Sequence, residues 1–175
     1  MENNISTATF AGGCFWCMVD CFYLLEGVVD VVVGYAGGKE KNPTYKDVKS
    51  QNTSHREVAR VYFHENVTSY EELLHMFWRQ IDPTDNGGQF QDRGHSYTSA
   101  IFYENERQKE LAEKSKLQLE ESGKFQNPIV TDILPLVNFN VAEEYHQNFS
   151  TTHKDEYKVD RSISGRDEFI NKMWK

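Results

Sequence analysis

The chain has 175 residues, 38% of them hydrophobic and 13% aromatic, which suffices for one compact domain with its own core. A formal net charge of −8 and a pI near 5.2 argue against phosphate backbones and anionic membranes as partners, because both reward clustered Lys and Arg. No apolar run reaches the ~18 residues of a membrane span, and the N-terminal MENNISTATF lacks the basic and apolar regions of a secretory signal, so the expected compartment is the cytosol.

In chain order, Thr7 to Ala11 reads as a short strand, after which Gly12 and Gly13 let the backbone turn sharply. The apolar run Cys14 to Leu25 predicts a helix that Gly27 stops. Val28 to Tyr35, β-branched and apolar almost throughout, predicts a strand buried on both faces. The stretch from Ala36 to Ser54, rich in Gly, Asn, Ser and Thr around Pro43, predicts a long loop with at most one helical turn, the kind of segment that carries function. Glu57 to Phe63 alternates as a strand, with Glu57, Ala59, Val61 and Phe63 on one face and Val58, Arg60 and Tyr62 on the other. Ser69 and Glu72 form a capping box for a helix from Tyr70 to about Gln80, whose buried stripe is Leu73, Leu74, Phe77, Trp78 and Ile81. A second loop, Asp82 to Tyr97, leads to a strand at Ser99 to Tyr103.

This order is the β-α-β-β-α-β of a ferredoxin-like two-layer sandwich, so the expected fold class is α+β. A charged helix from Glu106 to Ser122, closed by Gly123, and a strand at Ile129 to Leu134 are additions to it. The rest is an irregular polar tail with short helical patches near Ala142 to Phe149 and Asp167 to Trp174. Neither a repeat nor a linker interrupts the chain, so residues 1–175 are expected to be one domain, with 136–175 a wrapping C-terminal segment.

All three cysteines lie in GGCFWCMVDC, residues 12 to 21. Cytosolic thiols stay reduced unless they are working, so an odd cluster at one place points to chemistry or metal binding, not to a structural staple. If the helix begins at Cys14, its free N–H groups and dipole stabilise a thiolate, giving an acidic nucleophile with a pKa of roughly 3.5–7.5. Cys17 follows one turn later, about 5–6 Å away, within reach of a disulfide after modest adjustment. Cys21 lies about 10 Å of helical rise from Cys14, beyond the roughly 7 Å Cα limit for a bridge, although exchange with Cys17 offers a possible second recycling thiol. Two alternatives stand beside this: small buried hydrophobes on a core helix, and a metal or cluster site of the form Cys-x-x-Cys-x-x-x-Cys with a distant His. The metal site lacks a second cysteine pair at finger-like spacing.

A carboxyl at Glu57, among Ala59, Val61 and Phe63, would have its pKa raised by desolvation and serve as a general acid. The alternative is a solvated strand-end carboxylate paired with Arg60 or His55. Tyr45 and Tyr97, in the two long loops, offer hydroxyls to a polar oxygen or simply pack. Phe15 and Trp16 are adjacent, so both cannot face the core of one helix, and at least one is expected to border the site. The six histidines show no ligand spacing, and His146 in AEEYHQ is expected on a helix surface or capping a contact.

Taken together and in this order, GCFWC, GYAGG, NPTY, SHREV, FW with DPT, FQDRG, SAIFY, NPIVT and AEEYHQNF resemble the A-type peptide methionine sulfoxide reductases over nearly the whole chain. The resemblance implies reduction of the S-epimer of methionine sulfoxide, free or in proteins, by a cytoplasmic catalytic domain with no bound cofactor and thioredoxin or another dithiol as reductant. It implies Cys14 as the nucleophile, Glu57 as the proton donor to the sulfoxide oxygen, and Tyr45 and Tyr97 as hydrogen-bond donors to that oxygen. Phe15 and Trp16 would bind the substrate methyl group, and Asp92 its backbone or an ordered water. A monomer is expected.

Many relatives carry resolving cysteines near the C-terminus, and this chain has none there, so Cys17 inherits the role. Other departures are Cys21, Ser54, Ser96, Thr98 and Asn140. A thioredoxin-like dithiol oxidoreductase is the rival enzyme, but it would want a strand-end cis-Pro facing the thiols, and none of the four prolines stands out.

Overall fold

The Thr7–Ala11 and Glu57–Phe63 segments pair through the middle of one sheet, and that pairing sets the position of everything else. The computed structural model describes residues 4–175. In chain order it contains β1 (Ile5–Ala11), a 3-10 turn (Phe15–Met18), α1 (Asp20–Tyr23), β2 (Val28–Ala36), α2 (Tyr45–Lys49), β3 (Arg56–His64) and α3 (Tyr70–Trp78). There follow β4 (Gly88–Gln89), β5 (Asp92–Arg93), a 3-10 turn (His95–Tyr97), β6 (Ala100–Tyr103), α4 (Glu106–Glu121), β7 (Asp132–Pro135) and β8 (Phe139–Val141). A 3-10 turn (Glu144–His146) then leads into α5 (Phe149–Thr152), α6 (Lys154–Ser164) and α7 (Arg166–Trp174).

The six-stranded sheet runs β7-β6-β1-β3-β2-β8. Its inner four strands are antiparallel and have the order of a ferredoxin-like sandwich, with Phe10 opposite Ala59 on one side and Ile101 on the other. The α+β expectation therefore holds, with β7 added parallel to β6 and β8 antiparallel to β2 at the two edges. Phe10 stacks on Phe22 and Phe77 at 5.4 and 5.0 Å, tying the sheet to α1 and α3. The Ser69–Glu72 capping box is present at the start of α3, and Leu73, Leu74, Phe77 and Trp78 are its buried stripe.

The helix expected over 14–25 is not continuous. Phe15, Cys17, Met18, Val19, Cys21 and Phe22 are all buried, more than one helical face can bury, so the segment folds as a 3-10 turn followed by one short α turn. The strand expected at 129–134 begins only at Asp132, because the Val130 N–H donates to the Pro83 carbonyl at 2.8 Å instead of to the sheet. The tail is more regular than its composition suggests: α6 is a helix of 11 residues, legible only with difficulty because Tyr157 is its one buried side chain. The β4–β5 hairpin and β8 also form where only loop and tail were expected. No helix among the described residues is long and apolar enough to cross a membrane. The end of β1, the end of β2 and the starts of β3 and β6 meet at one end of the sheet, where Ala11 faces Ala100 and Tyr35 faces Glu57.

Candidate active site

Gly13 carries the chain out of β1 with φ +90, and a Cβ there would lie 2.7 Å from Gln89 Cβ, so the turn requires glycine. Cys14 follows in an extended conformation (φ −52, ψ 119), and the Cys17 N–H donates to its carbonyl at 3.1 Å to close the 3-10 turn. The Cys14 and Cys17 sulfurs and one Asp160 carboxylate oxygen lie within 4.8 Å of one another. Both thiols are reduced and buried, packed against Phe149, Tyr157 and the half-buried Trp16.

Because no α-helix starts at Cys14, the dipole expected to acidify it is missing. Instead, a hydrogen bond with Cys17, burial, and the charges of Cys17, Glu57 and Asp92 push the Cys14 thiol well above the usual thiol range. Cys17 is the more acidic partner, lowered to about 7 by that hydrogen bond, against its burial, with Arg166 and Arg161 assisting. In the substrate-free pair negative charge is therefore favoured on Cys17, near guanidinium groups, over Cys14, near carboxyls. Cys21 belongs to the main core instead, where burial drives its thiol up to about 12.

Glu57 is 1% exposed at the start of β3. Its Oε1 accepts from the Phe15 N–H at 3.1 Å, while Oε2 is buried with no hydrogen-bond partner among the described residues. Burial lifts this carboxyl to about 8; the Phe15 N–H and the Tyr97 hydroxyl oppose the rise, and Asp92 adds to it. Of its two expected environments, Glu57 has the desolvated one: Arg60 pairs with Glu104 at 2.6 Å, and His55 lies against Glu40. Burial, then Glu57, keep the Tyr45 and Tyr97 phenols above their ordinary value, so both are hydrogen-bond donors at neutral pH.

Phe15 is buried and stacks on Tyr45 at 6.2 Å, whereas Trp16 lies flat on Phe149 at 3.8 Å with its indole N–H donating to His146 Nδ1 at 3.0 Å. His146, expected on a helix surface or capping a contact, is fully buried and caps the Trp16 indole; desolvation lowers its pKa to about 4, so the ring is neutral and the bond assigns its proton to Nε2. Glu143 ties the loops together, accepting from the Tyr35 hydroxyl at 2.8 Å and the Tyr45 N–H at 2.9 Å. Asp92, on β5, is half-buried, its carboxyl raised by desolvation and by Asp160. Residue-by-residue reading gave His146 no place at the site and missed Glu143 and Phe149, for which AEEYHQNF was the one available signal; Asp160, outside that motif, carried none. The unusual residues at the rim serve the loops: Ser54 binds Glu40, Ser96 accepts from Gln51 at 2.7 Å, Thr98 accepts from Arg56 at 2.8 Å, and Asn140 donates to the Tyr35 carbonyl at 3.3 Å.

Cys14, Cys17 and Asp160 are the one group with metal-like spacing among the described residues. It offers three donors, with two arginines acting on Cys17, an arrangement poorly suited to a resident cation. A buried dithiol facing a neutral carboxyl and two phenols on a ferredoxin-like sandwich defines a thiol-based oxidoreductase. The family model for peptide methionine sulfoxide reductase matches residues 6–175. A peptide methionine sulfoxide reductase MsrA from Halalkalibacterium halodurans is 54% identical over 174 residues, 99% of each chain. Among solved structures, Mxr1 from Saccharomyces cerevisiae in reduced form superposes with a TM-score of 0.76 at 35% identity, covering 85% of both chains. The same yeast protein in complex with Trx2 gives a TM-score of 0.54 at 25% identity, covering 85% of this chain and 89% of the other. The chain belongs to the peptide methionine sulfoxide reductase family, and its reaction is thiol-dependent reduction of methionine sulfoxide.

Proposed function

We propose that Cys14 is the nucleophile, Glu57 the proton donor and Cys17 the resolving thiol in reduction of the S-epimer of methionine sulfoxide, free or in proteins. The observation that carries this is Glu57: one carboxyl oxygen is anchored to the residue after Cys14, the other is buried and unpartnered, and the group is neutral at pH 7. The shared hydrogen bond between the sulfurs lets the charge pass to Cys14 as substrate docks. The Cys14 thiolate then bonds to the sulfoxide sulfur while Glu57 gives its proton to the oxygen and Tyr45 and Tyr97 donate to it. The hydroxyl then passes from the substrate sulfur to the Cys14 sulfur as the transient S–S bond and the substrate S–O bond break, so that methionine leaves with two added electrons and Cys14 remains as the sulfenic acid. Phe15 and Trp16 hold the substrate methyl group, and Asp92 holds its backbone or a water.

Attack by Cys17 yields a Cys14–Cys17 disulfide and water, and a dithiol of the thioredoxin type restores both thiols. The yeast complex with Trx2 supports that reductant. On the same reading, residues 1–175 act as one cytosolic, monomeric catalytic domain with no bound cofactor, wrapped by 136–175, and Cys21 takes no part. Mass spectrometry after one equivalent of methionine sulfoxide tests the assignment. A Cys14–Cys17 disulfide with one methionine released supports it, and a disulfide that includes Cys21 overturns it.

A further inference from the structure

The C-terminal helices bring two guanidinium groups to the Gly12–Met18 turn. Arg166, 1% exposed, donates to the Gly12 carbonyl at 2.9 Å, the Gln80 carbonyl at 2.7 Å and Met18 Sδ at 3.7 Å, and lies 4.8 Å over the Phe90 ring. It forms no ion pair with a carboxylate among the described residues, although a buried cation without a counter-charge is costly. Arg161 reaches the same turn from α6, with Nη1 donating to the Cys17 carbonyl at 3.3 Å and the Tyr157 hydroxyl at 3.0 Å, while Nε donates to Asp167 at 2.9 Å.

We infer that Arg161 and Arg166 are positioning residues of the resolving step: they hold Cys17 as the thiolate that faces Cys14 once the first half-reaction is complete. The inference rests on the reading of Cys17 as resolving thiol. The groups acting on Cys17 are Cys14 from its own turn, Arg166 from α7, and Arg161, Asp160 and Tyr157 from α6. Asp160 opposes the two cations, and Asp167 neutralises part of the Arg161 charge. In the resolving step Cys17 S⁻ bonds to the Cys14 sulfur, the Cys14 S–O bond breaks, and the departing hydroxide takes a proton to leave as water. An ordinary thiol with a pKa of about 8.5 is only a few per cent thiolate at neutral pH, so guanidinium charge from α6 and α7 raises the share of Cys17 ready to attack.

The test is single-turnover kinetics of Arg161→Met and Arg161→Lys with methionine sulfoxide between about pH 6 and 9, following methionine release and disulfide formation separately. In Arg161→Met, methionine release should change far less than disulfide formation. The pH midpoint of disulfide formation should rise by about one unit, slowing that step about tenfold below the midpoint with recovery at high pH. Arg161→Lys should restore most of the rate. An unshifted midpoint, or a slowing independent of pH, overturns the inference. Should Arg161→Met not fold, thiolate absorbance of Cys17 in Cys14→Ser decides: a midpoint below about 8.5 supports it, and one at or above that value overturns it. If the wild type forms no Cys14–Cys17 disulfide at all, the resolving assignment itself fails, which is a different result from a normal disulfide with an unshifted midpoint.

Discussion

The backbone N–H of Phe15 donates to Glu57 Oε1 at 3.1 Å, fixing the candidate acid to the residue that follows the candidate nucleophile. One hydrogen bond thus joins the 3-10 turn after β1 to the start of β3 and leaves Oε2 without a hydrogen-bond partner among the described residues. Replacing Glu57 by Gln keeps the acceptor for Phe15 but removes the transferable proton. Methionine release in a single turnover should slow on the order of 10²-fold or more while substrate affinity stays within a few-fold. An unchanged single-turnover rate would exclude the acid role.

The pH dependence has a definite sign. Glu57 is active as its protonated form, so methionine release should fall as pH rises through about 8. Its folded pKa also lies above the ordinary carboxyl value of 4.5, so the folded state binds a proton that the unfolded state has released. Between these two values stability should decline with rising pH, by roughly 1.4 kcal/mol per pH unit at most. Thermal melts of Glu57→Gln against wild type should show the variant gaining relative stability from acid to alkaline pH, and parallel curves would contradict the burial argument.

The three cysteines should separate cleanly. Cys14→Ser should release no methionine, and Cys17→Ser should release about one per enzyme but not turn over with thioredoxin. Cys21→Ser should keep full turnover while losing about 1–3 kcal/mol in denaturant unfolding, because it buries a hydroxyl in the core. Full thioredoxin turnover by Cys17→Ser would remove Cys17 from the recycling path.

His146 holds Trp16 through the 3.0 Å bond from its indole N–H. His146→Phe keeps the stack but deletes the acceptor, at a cost of about 1 kcal/mol, and should raise KM several-fold with kcat nearly unchanged. Because burial lowers His146 from 6.5 to about 4, the fold loses stability as pH falls through that window, opposite in sign to Glu57, and His146→Phe should abolish that loss. Equal KM values for variant and wild type would show that Trp16 needs no such anchor.

Strand order, the α3 capping box and the clustering of three cysteines were legible because period-two and period-3.6 patterns and cysteine spacing are local properties. The helix over 14–25 was misread because burial of Phe15, Cys17, Val19 and Cys21 together is a tertiary fact that no local period encodes. α6 was missed for the converse reason: its polar sequence is held by Arg161 and Tyr157 against a turn more than 140 positions away.

By itself, the sequence determined the ferredoxin-like order, the family motifs and the short list Cys14, Cys17, Tyr45, Glu57 and Tyr97. Only the tertiary structure decided how protons and charge are distributed over that list. The raised carboxyl of Glu57, the lowered thiol of Cys17 and the raised thiol of Cys21 depend on burial and on Asp92, Arg161 and Arg166 brought in from distant segments. Desolvation and Coulomb energies depend on distances through space, which spacing along the chain does not contain.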